Sequence, residues 1–402
     1  METLAKVTCT RGSWQKRDVY VMENNLIRFV ALTGGGHIAE IRFRNGLDLP
    51  TLNPLWVPPW KTMEPYQYKE KIHAAQYGKA DTGKLICGIA GHNLCLDYFG
   101  AASPEEVKQG LSIHGEAPSA RWRATRKSSK SGRADLEMAV HLPVAGLQFT
   151  RQITIRQGES VVYLKEKVIN EKKADHFFHW TQHVTLSPPF LKPRHCRTFL
   201  PGSKGRTFPH GYDEGKALLV SSHNFEWPFA PGVSGAKVDL TRPFAKSGRG
   251  ILATVLLRPD REVAYVAALN TEENLLMGYC FKRADFPWVA LWEENCARTD
   301  APWNEVTQSR GLEFGSTPFP VGKRETFANG PLFGAPHFSM VPAKGQKTVN
   351  YLAFLAVAPK GLAEIRDINI QRGKIVVEGQ SAKGKPVTLE VRASGLRQGS
   401  LA

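Results

Sequence analysis

The sequence predicts an all-β protein, built as a large antiparallel β-supersandwich. Short segments in which apolar and polar residues alternate recur along most of the 402 residues, and Gly, Pro, Asn and Asp separate them. Alternation with a period of two is typical of a strand with one buried face. Helix patterns are scarce between these segments, and many strands without intervening helices predict a sandwich or barrel.

The individual strands are short runs between turn residues. In residues 147–156, LQFTRQITIR, one face is apolar except for Arg151, and the other face is polar. Similar runs occupy residues 18–24, 26–32, 37–43, 134–142, 160–169, 250–257, 262–269, 274–281 and 350–357. Each run predicts a strand that buries one of its faces.

One short helix is predicted over Ser103–Leu111, SPEEVKQGL. Ser103 suits the N-cap, and Pro104 suits the first helical position. Glu105 and Glu106 then lie at the positive end of the helix dipole, where they are stabilising.

A single large domain is expected over residues 1–358, because no low-complexity linker divides this part of the chain. Residues 359–402 contain three further runs of strand character, at 365–371, 374–380 and 387–393. We expect these strands to be appended to the same domain and to be followed by a disordered tail.

The composition is 42% hydrophobic and 22% charged, as in ordinary globular proteins. The formal charge of +16, from 53 Lys and Arg against 37 Asp and Glu, favours anions near the surface. The basic residues are scattered, however, and their densest cluster, Arg121–Arg133, is predicted to be a solvated hairpin tip. No RRM, helix-turn-helix or zinc-finger pattern is present, so nucleic acid is not the expected partner.

The six cysteines form no CxxC pair and match neither a zinc site nor a disulfide framework. Several lie among apolar residues, where a buried free thiol is the expected state. The N-terminal residues lack the apolar stretch of a signal peptide, and no apolar run is long enough to span a bilayer. A cytoplasmic location without a membrane partner is predicted.

Five sequence segments follow one another along the chain in a fixed order. They are NNLIRFVALTGGGHIAEIRFRNG (24–46), LSIHGEAPSARW (111–122), VVYLKEKVINEKKADHFFHWTQHVTLSPPF (161–190), GLEFGSTPFP (311–320) and MVPAKGQKTVNYLAFLA (340–356). In this order they resemble the galactose mutarotase-like (aldose 1-epimerase) superfamily. Each segment is degenerate alone, so the resemblance rests on the set, which covers roughly residues 15–358. It implies a galactose mutarotase-like supersandwich that acts on sugars.

In that family a Glu takes the proton from the C1 hydroxyl and a His protonates the ring oxygen, so that the ring opens, C1 rotates and the ring recloses. The resemblance implies Glu313 as the base, His183 as the acid and His114 as a hydroxyl ligand or electrostatic helper. Leu312 and Phe314 flank Glu313, and an enclosed site would raise its pKa. We expect the two acid–base groups to lie about one sugar ring apart, on opposite sides of a pyranose.

Two tryptophans are candidates for contacts with the sugar. FPWVALWEEN, residues 286–295, lies about where the family has an aromatic sugar-contacting strand. Trp288 and Trp292 are four residues apart and therefore share one face of a strand. They could equally pack in the core of the sandwich.

Polar candidates come from a segment that departs from the family pattern. CGIAGHNLCLDYFG, residues 87–100, lies roughly where the family has a sugar-binding Arg, for which this chain has no clear equivalent. It offers His92, Asn93 and Asp97 instead. The sugar, or the reaction itself, is therefore expected to differ from galactose mutarotation.

A metal site formed by His179, His183 and Glu313 is the rival interpretation of the sequence HWTQH. Its neighbouring residues are aromatic or β-branched, which favours a strand. Four residues along a strand separate two side chains by ~13 Å, too far for one ion. No metal is expected, and acid–base chemistry needs no cofactor. His179 instead becomes a candidate for the same cleft as His183.

Three function classes follow from these observations. The first is an aldose 1-epimerase-like enzyme acting on a small sugar, either neutral or anionic. The second is a non-catalytic carbohydrate-binding protein with the same fold, since the family's Arg is missing. The third is a polysaccharide lyase-like enzyme, for which the positive charge would suit polyuronates.

Overall fold

We describe residues 6–245, 247–397 and 401 in a computed structural model of the chain. About 48% of the residues are in strands and 10% in helices. All the pairs of neighbouring strands in its two large sheets are antiparallel, including those between β10 (His176–Leu186) and β20 (Gln308–Gly315). The predicted all-β class is confirmed.

The described part of the chain forms 25 strands. The first thirteen are β1 Thr8–Trp14, β2 Arg17–Glu23, β3 Ile27–Leu32, β4 Ile38–Phe43, β5 His92–Asp97, β6 Arg123–Lys130, β7 Arg133–Leu142, β8 Leu147–Arg156, β9 Val161–Asn170, β10 His176–Leu186, β11 Cys196–Phe199, β12 Gly202–Thr207 and β13 Asn224–Glu226. The others are β14 Phe229–Pro231, β15 Lys237–Asp239, β16 Arg249–Leu257, β17 Val263–Asn270, β18 Leu275–Lys282, β19 Trp288–Asn295, β20 Gln308–Gly315, β21 Ser339–Val341, β22 Gln346–Val357, β23 Leu362–Gln371, β24 Lys374–Ser381 and β25 Pro386–Arg392.

The helices are short and few. The α-helices are α1 Glu70–Tyr77, α2 Ala80–Ile86, α3 Pro104–Lys108, α4 Asp213–Lys216 and α5 Lys323–Asn329, and 3-10 turns occur at Pro65–Gln67, Ala117–Ser119 and Leu332–Gly334. The predicted helix is α3. Ser103 Oγ accepts from the Glu106 N–H, and Glu106 accepts from the Ser103 N–H in return, which is a capping box. Among the described residues, no helix is long and apolar enough to cross a membrane.

Two large sheets form the sandwich. The larger has the order β1-β2-β3-β4-β5-β10-β20-β19-β16-β12-β13, with β21 pairing the start of β10. The second has the order β11-β17-β18-β22-β9-β8-β7-β6. Their apolar faces enclose one core, to which Phe29, Phe149, Trp180, Phe314 and Val349 belong. This arrangement leaves the other face of the larger sheet free to carry a site.

Strand β10 lies in the middle of the larger sheet, between β5 and β20. His183 on β10 is directly opposite Asn93 on β5 and Glu313 on β20. Residues directly opposite one another in antiparallel strands point to the same face. His183 and Glu313 are therefore side by side on the face away from the core, whereas the adjacent residues Gln182 and Phe314 point into it.

A buried ion pair joins the two sheets behind β10. Glu166 and Arg151 are almost fully buried, and Arg151 Nε donates to Glu166 Oε1 at 2.6 Å. The same carboxylate accepts from Tyr351 OH at 2.7 Å, Trp180 Nε1 at 3.1 Å and Gln182 Nε2 at 2.6 Å. Trp180 and Gln182 belong to β10, whereas the other three residues belong to the smaller of the two large sheets. This carboxylate therefore fixes β10 against the opposite sheet.

The strands after residue 358 form a separate three-stranded sheet, β23-β24-β25. It packs on the outer face of the eight-stranded sheet, in a second apolar cluster that includes Tyr265, Leu276, Phe354, Ile368 and Val377. Leu396 and Leu401 of the predicted disordered tail are buried in the same cluster. The prediction of disorder is wrong for these two residues, because the tail covers apolar side chains; residues 398–400 and 402 lie outside the described part.

Replacing the buried carboxylate tests its role. We expect Glu166→Gln to lower the free energy of unfolding by about 3–5 kcal/mol, because it leaves the Arg151 charge buried without a counter-ion. Urea denaturation followed by tryptophan fluorescence measures this change. The control is Glu390→Gln, which breaks an exposed ion pair with Lys374 and is expected to cost less than about 1 kcal/mol. A loss as small as that of the control would contradict the assigned role.

Candidate active site

A cleft of about 600 Å³ opens on the face of the larger sheet that points away from the core. Its floor is formed by side chains from β10 and β20 and by His114. The turn between α1 and α2, together with α2 itself, forms one wall, and residues 297–303 form another. A volume of this size is typical of sites that bind small molecules.

His183 and Glu313 meet on the floor of the cleft. The distance between His183 Nε2 and Glu313 Oε1 is 3.2 Å, yet this carboxylate oxygen has no hydrogen-bond partner. We expected a separation of about one sugar ring. The pair is closer because the two residues are directly opposite each other on neighbouring strands.

The surroundings shift the pKa values of both groups. Burial raises the pKa of the Glu313 carboxyl well above its usual value, because it disfavours the ionised form. Burial, and secondly the nearby His114, lower the pKa of His183 well below the usual imidazole value. Burial thus disfavours the charged form of each group.

His114 completes the floor. Its ring centroid lies 5.2 Å from that of His183, and its Nδ1 lies 2.5 Å from the carbonyl oxygen of Phe99. A carbonyl can only accept, so Nδ1 carries the proton and Nε2 remains an acceptor. Burial lowers the pKa of His114 to about 4, which keeps the ring neutral at pH 7.

The chain turns sharply to present His114. His114 has φ 69° and Gly115 has φ 81°, both in the left-handed region that favours glycine. A Cβ on Gly115 would lie 2.2 Å from the carbonyl oxygen of Leu96. Only glycine therefore fits at this position, and it allows His114 to approach β5 closely.

Four tryptophans form an aromatic wall beside the floor. Trp292 lies with its ring centroid 6.0 Å from His183. Trp303 stacks on Trp56 at 5.9 Å and contacts Trp60 at 5.2 Å. Of the four, Trp292 and Trp303 line the cleft. Aromatic faces suit the apolar C–H faces of sugars.

Charged groups lie nearer the mouth. Arg298, Lys216 and Asp300 line the cleft there. Arg298 lies over the Trp303 ring, 4.6 Å from its centroid. Its position is set by Glu294, whose Oε1 accepts from the Arg298 N–H at 3.1 Å and whose Oε2 is 3.5 Å from the Arg298 Nε.

The architecture matches known structures. A candidate aldose 1-epimerase from Klebsiella pneumoniae aligns over 87% of this chain and 82% of its own, with a TM-score of 0.62 and 12% identity. A galactose mutarotase-like protein from Clostridium acetobutylicum aligns over 88% and 99%, with a TM-score of 0.55 and 11% identity. A candidate mutarotase from Salmonella typhimurium aligns over 88% of this chain and 97% of its own, with a TM-score of 0.53 and 10% identity.

This chain has the galactose mutarotase-like fold. The resemblance found in the sequence is thereby confirmed at the level of fold. No protein-family model matches the sequence, and a search of the curated proteins finds no match.

Within this galactose mutarotase-like fold, four of the nine predicted site residues line the cleft. They are Glu313, His183, His114 and Trp292. His92 requires a correction, because it points into the core. Its Nε2 lies 2.8 Å from Gln182 Oε1, and its Nδ1 lies 3.3 Å from Tyr279 OH. The physical reason is strand alternation, which sends His92 and Asn93 to opposite faces.

The remaining predicted residues share the site's side of the sheet but are covered by other groups. His179 accepts from the Phe99 N–H at 3.1 Å and lies below that loop. The Trp288 indole N–H donates to the Pro336 carbonyl at 2.5 Å, under a second loop. Asp97 pairs with His176 and Lys323. Asn93 is fully buried next to His183. None of the four lines the cleft.

Other residues of the cleft were not predicted from the sequence. Arg298, Asp300 and Trp303 lie between strands, and Tyr77 and Leu85 come from α1 and α2. Neither helix begins with a side-chain cap, and these segments carry no strand alternation. The available signal was the density of tryptophan in PLWVPPW, residues 54–60, and in the segment around Trp303.

Acid should destabilise the protein. Burial lowers the pKa of His183 and of four further histidines, to about 3 for His37, His92 and His179 and to about 4 for His114. Below pH 6.5 the unfolded chain binds protons that the folded chain does not, so each residue removes up to about 1.4 kcal/mol of stability per pH unit. The raised pKa values of the carboxyls of Glu313, Glu293, Glu116 and Asp285 oppose this by at most one proton each. Urea unfolding at pH 7.5 and 5.5 measures the difference.

Two histidine variants test whether the buried histidines cause the pH dependence of stability. His92→Gln is expected to reduce the pH dependence by about one proton, because it removes one buried titrating group. The matched control is His141→Gln, at an exposed histidine paired with Glu171. Equal stability at the two pH values would contradict the neutral state assigned to the buried histidines.

Proposed function

We propose that this protein interconverts the anomers of a sugar, as an aldose 1-epimerase does. The observation that carries the proposal is the contact between Glu313 and His183 on the floor of the cleft, with a carboxylate oxygen that has no hydrogen-bond partner. The galactose mutarotase-like fold is consistent with carbohydrate chemistry.

The reaction needs two proton transfers at adjacent atoms of the sugar. Glu313 takes the proton from the C1 hydroxyl, and His183 delivers a proton to the ring oxygen. The C1–ring oxygen bond then breaks, C1 rotates, and closure on the other face reverses both transfers. The two oxygens are bonded to the same carbon, so a base and an acid only 3.2 Å apart can serve both.

The pKa shifts suit this exchange. One proton is shared by the pair, either on His183 or on Glu313, in the two halves of the cycle. Burial raises the carboxyl pKa and lowers the imidazole pKa, and both directions favour moving the proton from His183 through the sugar to Glu313, which is the direction of ring opening. Thr185 Oγ1, 3.0 Å from His183 Nδ1, keeps the ring in place.

Two further residues hold the sugar. His114 Nε2, the free acceptor of a neutral ring, receives a hydrogen bond from a sugar hydroxyl. Trp292, beside His183, offers an apolar platform for a face of the pyranose. The chemistry in this proposal uses no cofactor.

The sugar is proposed to carry an anionic group away from C1. Arg298 and Lys216 lie at the mouth with Asp300. Arg298 is also paired with Glu294 and Lys216 with Glu305, and an anionic substituent of the sugar would be a further acceptor for these two cations. The cleft also exceeds the space that one pyranose fills, and it leaves room for a phosphate or carboxylate substituent. A cytoplasmic location is part of the proposal, since the six cysteines are free thiols as expected in a reducing compartment.

The central test removes the base. Glu313→Gln is expected to lower the rate of anomer exchange by ~10²-fold or more and to leave sugar affinity largely unchanged, because the side chain keeps its shape but loses its basicity. Exchange is followed by polarimetry or NMR on a freshly dissolved pure anomer, across neutral, phosphorylated and uronic aldoses.

The control for this variant is Glu105→Gln, at an exposed position of α3, which keeps the wild-type rate. Sugar binding by calorimetry without exchange above the blank would contradict the proposal and indicate a carbohydrate-binding protein. A rise in absorbance on adding acidic polysaccharide would indicate a lyase instead.

The anionic group is tested separately. Arg298→Gln is expected to raise KM at least about tenfold for a phosphorylated or uronic aldose, because a charged hydrogen bond is lost. KM for the matching neutral aldose is the internal control and changes little. Arg126→Gln, at an exposed position on β6, leaves both values unchanged. An equal rise for both sugars would show that Arg298 acts on the shape of the cleft alone.

A further inference from the structure

The cleft face of β20 carries a single side chain over five residues. Positions 311, 313 and 315 point to the cleft, and they are Gly311, Glu313 and Gly315. Leu312 and Phe314 point to the opposite face and pack in or near the core. On the cleft face of its own strand, the carboxylate therefore has no neighbouring side chain within two residues on either side.

Gly311 lies directly below the carboxylate. A Cβ at this position would lie 2.1 Å from Glu313 Oε1, 3.0 Å from its Cδ and 3.2 Å from its Cγ. These distances are shorter than van der Waals contact, so Glu313 folds back across the backbone of Gly311. Gly311 is not among the residues with positive φ, and its backbone conformation does not require glycine.

We infer that Gly311 is a positioning residue, whose missing Cβ leaves the space in which the Glu313 carboxylate lies next to His183. This inference rests on the proposed function for its catalytic meaning. The steric part stands on geometry alone, because the three nearest atoms to the added Cβ all belong to Glu313.

Gly315 shows that the effect is specific to one glycine. A Cβ there would lie 2.4 Å from Thr181 Oγ1 and 3.0 Å from Thr181 Cα. The collision would push β20 away from β10 and would not touch the carboxylate. Alanine at 315 is therefore expected to disturb the sheet, and alanine at 311 to displace Glu313.

The first experiment is a stability cycle that does not depend on turnover. Gly311→Ala is expected to lower the unfolding midpoint by about 1–3 °C in the wild-type background, as overpacking does. In a Glu313→Ala background the same change has almost no effect, because no carboxylate is left to collide with. Gly12→Ala is the matched control. It is on exposed β1, where the nearest atom is 3.6 Å from the added Cβ.

The second experiment measures kinetics on an aldose that the wild-type protein turns over. Gly311→Ala is expected to lower kcat by about 10²-fold, because a displacement of about 1 Å at a reacting group has this effect. KM changes by less than about threefold, and Gly12→Ala changes neither value. A general loss of folding would instead lower the amount of active protein and the melting temperature in both backgrounds.

Two results would overturn the inference: an equal loss of stability in both Glu313 backgrounds, or a kcat within about threefold of wild type for Gly311→Ala. If the wild-type protein turns over no aldose, the proposed function fails. The stability cycle then still decides whether Gly311 makes space for the carboxylate.

Discussion

The arrangement of the site depends on one buried carboxylate, Glu166, on the far side of the sheet from the cleft. Burying an ion is costly unless its hydrogen-bonding capacity is met, and here an arginine, a tyrosine, an indole and an amide meet it. Two of these donors, Trp180 and Gln182, are on β10. Side chains alternate along a strand, so fixing these two toward the core fixes His183 toward the cleft.

Most strands were predictable, because alternation is a local property of the sequence. The sequence shows the two members of the Arg151–Glu166 ion pair but not their contact. Arg151 interrupts the apolar face of one strand, and Glu166 interrupts the apolar face of the adjacent strand. The two are directly opposite each other, a pairing that depends on which strands become neighbours. Helices α1 and α2 were missed because they lack capping side chains. Contacts with the rest of the protein hold them, and the sequence does not display those contacts.

His114, His183 and Glu313, on the floor of the cleft, were predicted from the order of the motifs along the chain. The order indicates which side chains lie close together in the fold, although each motif is degenerate alone. Because adjacent residues of a strand point to opposite faces, only one of His92 and Asn93 can point toward the cleft. The alternation does not tell which of the two it is. The same alternation placed Trp288 and Trp292 on one face of their strand. A loop covers Trp288, whereas Trp292 lines the cleft. The sequences of such loops, and of the segment that carries Arg298, have no periodic pattern of apolar and polar residues. Their positions follow from long-range packing that a sequence pattern does not encode.

The small C-terminal sheet also has a consequence for biosynthesis. It covers the outer side of β17, β18 and β22, where Tyr265, Leu276 and Phe354 are buried against it. These residues leave the ribosome before residues 362–392 do. Until translation reaches that segment, the nascent chain displays a broad apolar sheet surface to solvent, at the stage when exposed strands are prone to aggregate. The outer side of the eight-stranded sheet is thus covered only after residues 362–392 have been synthesised.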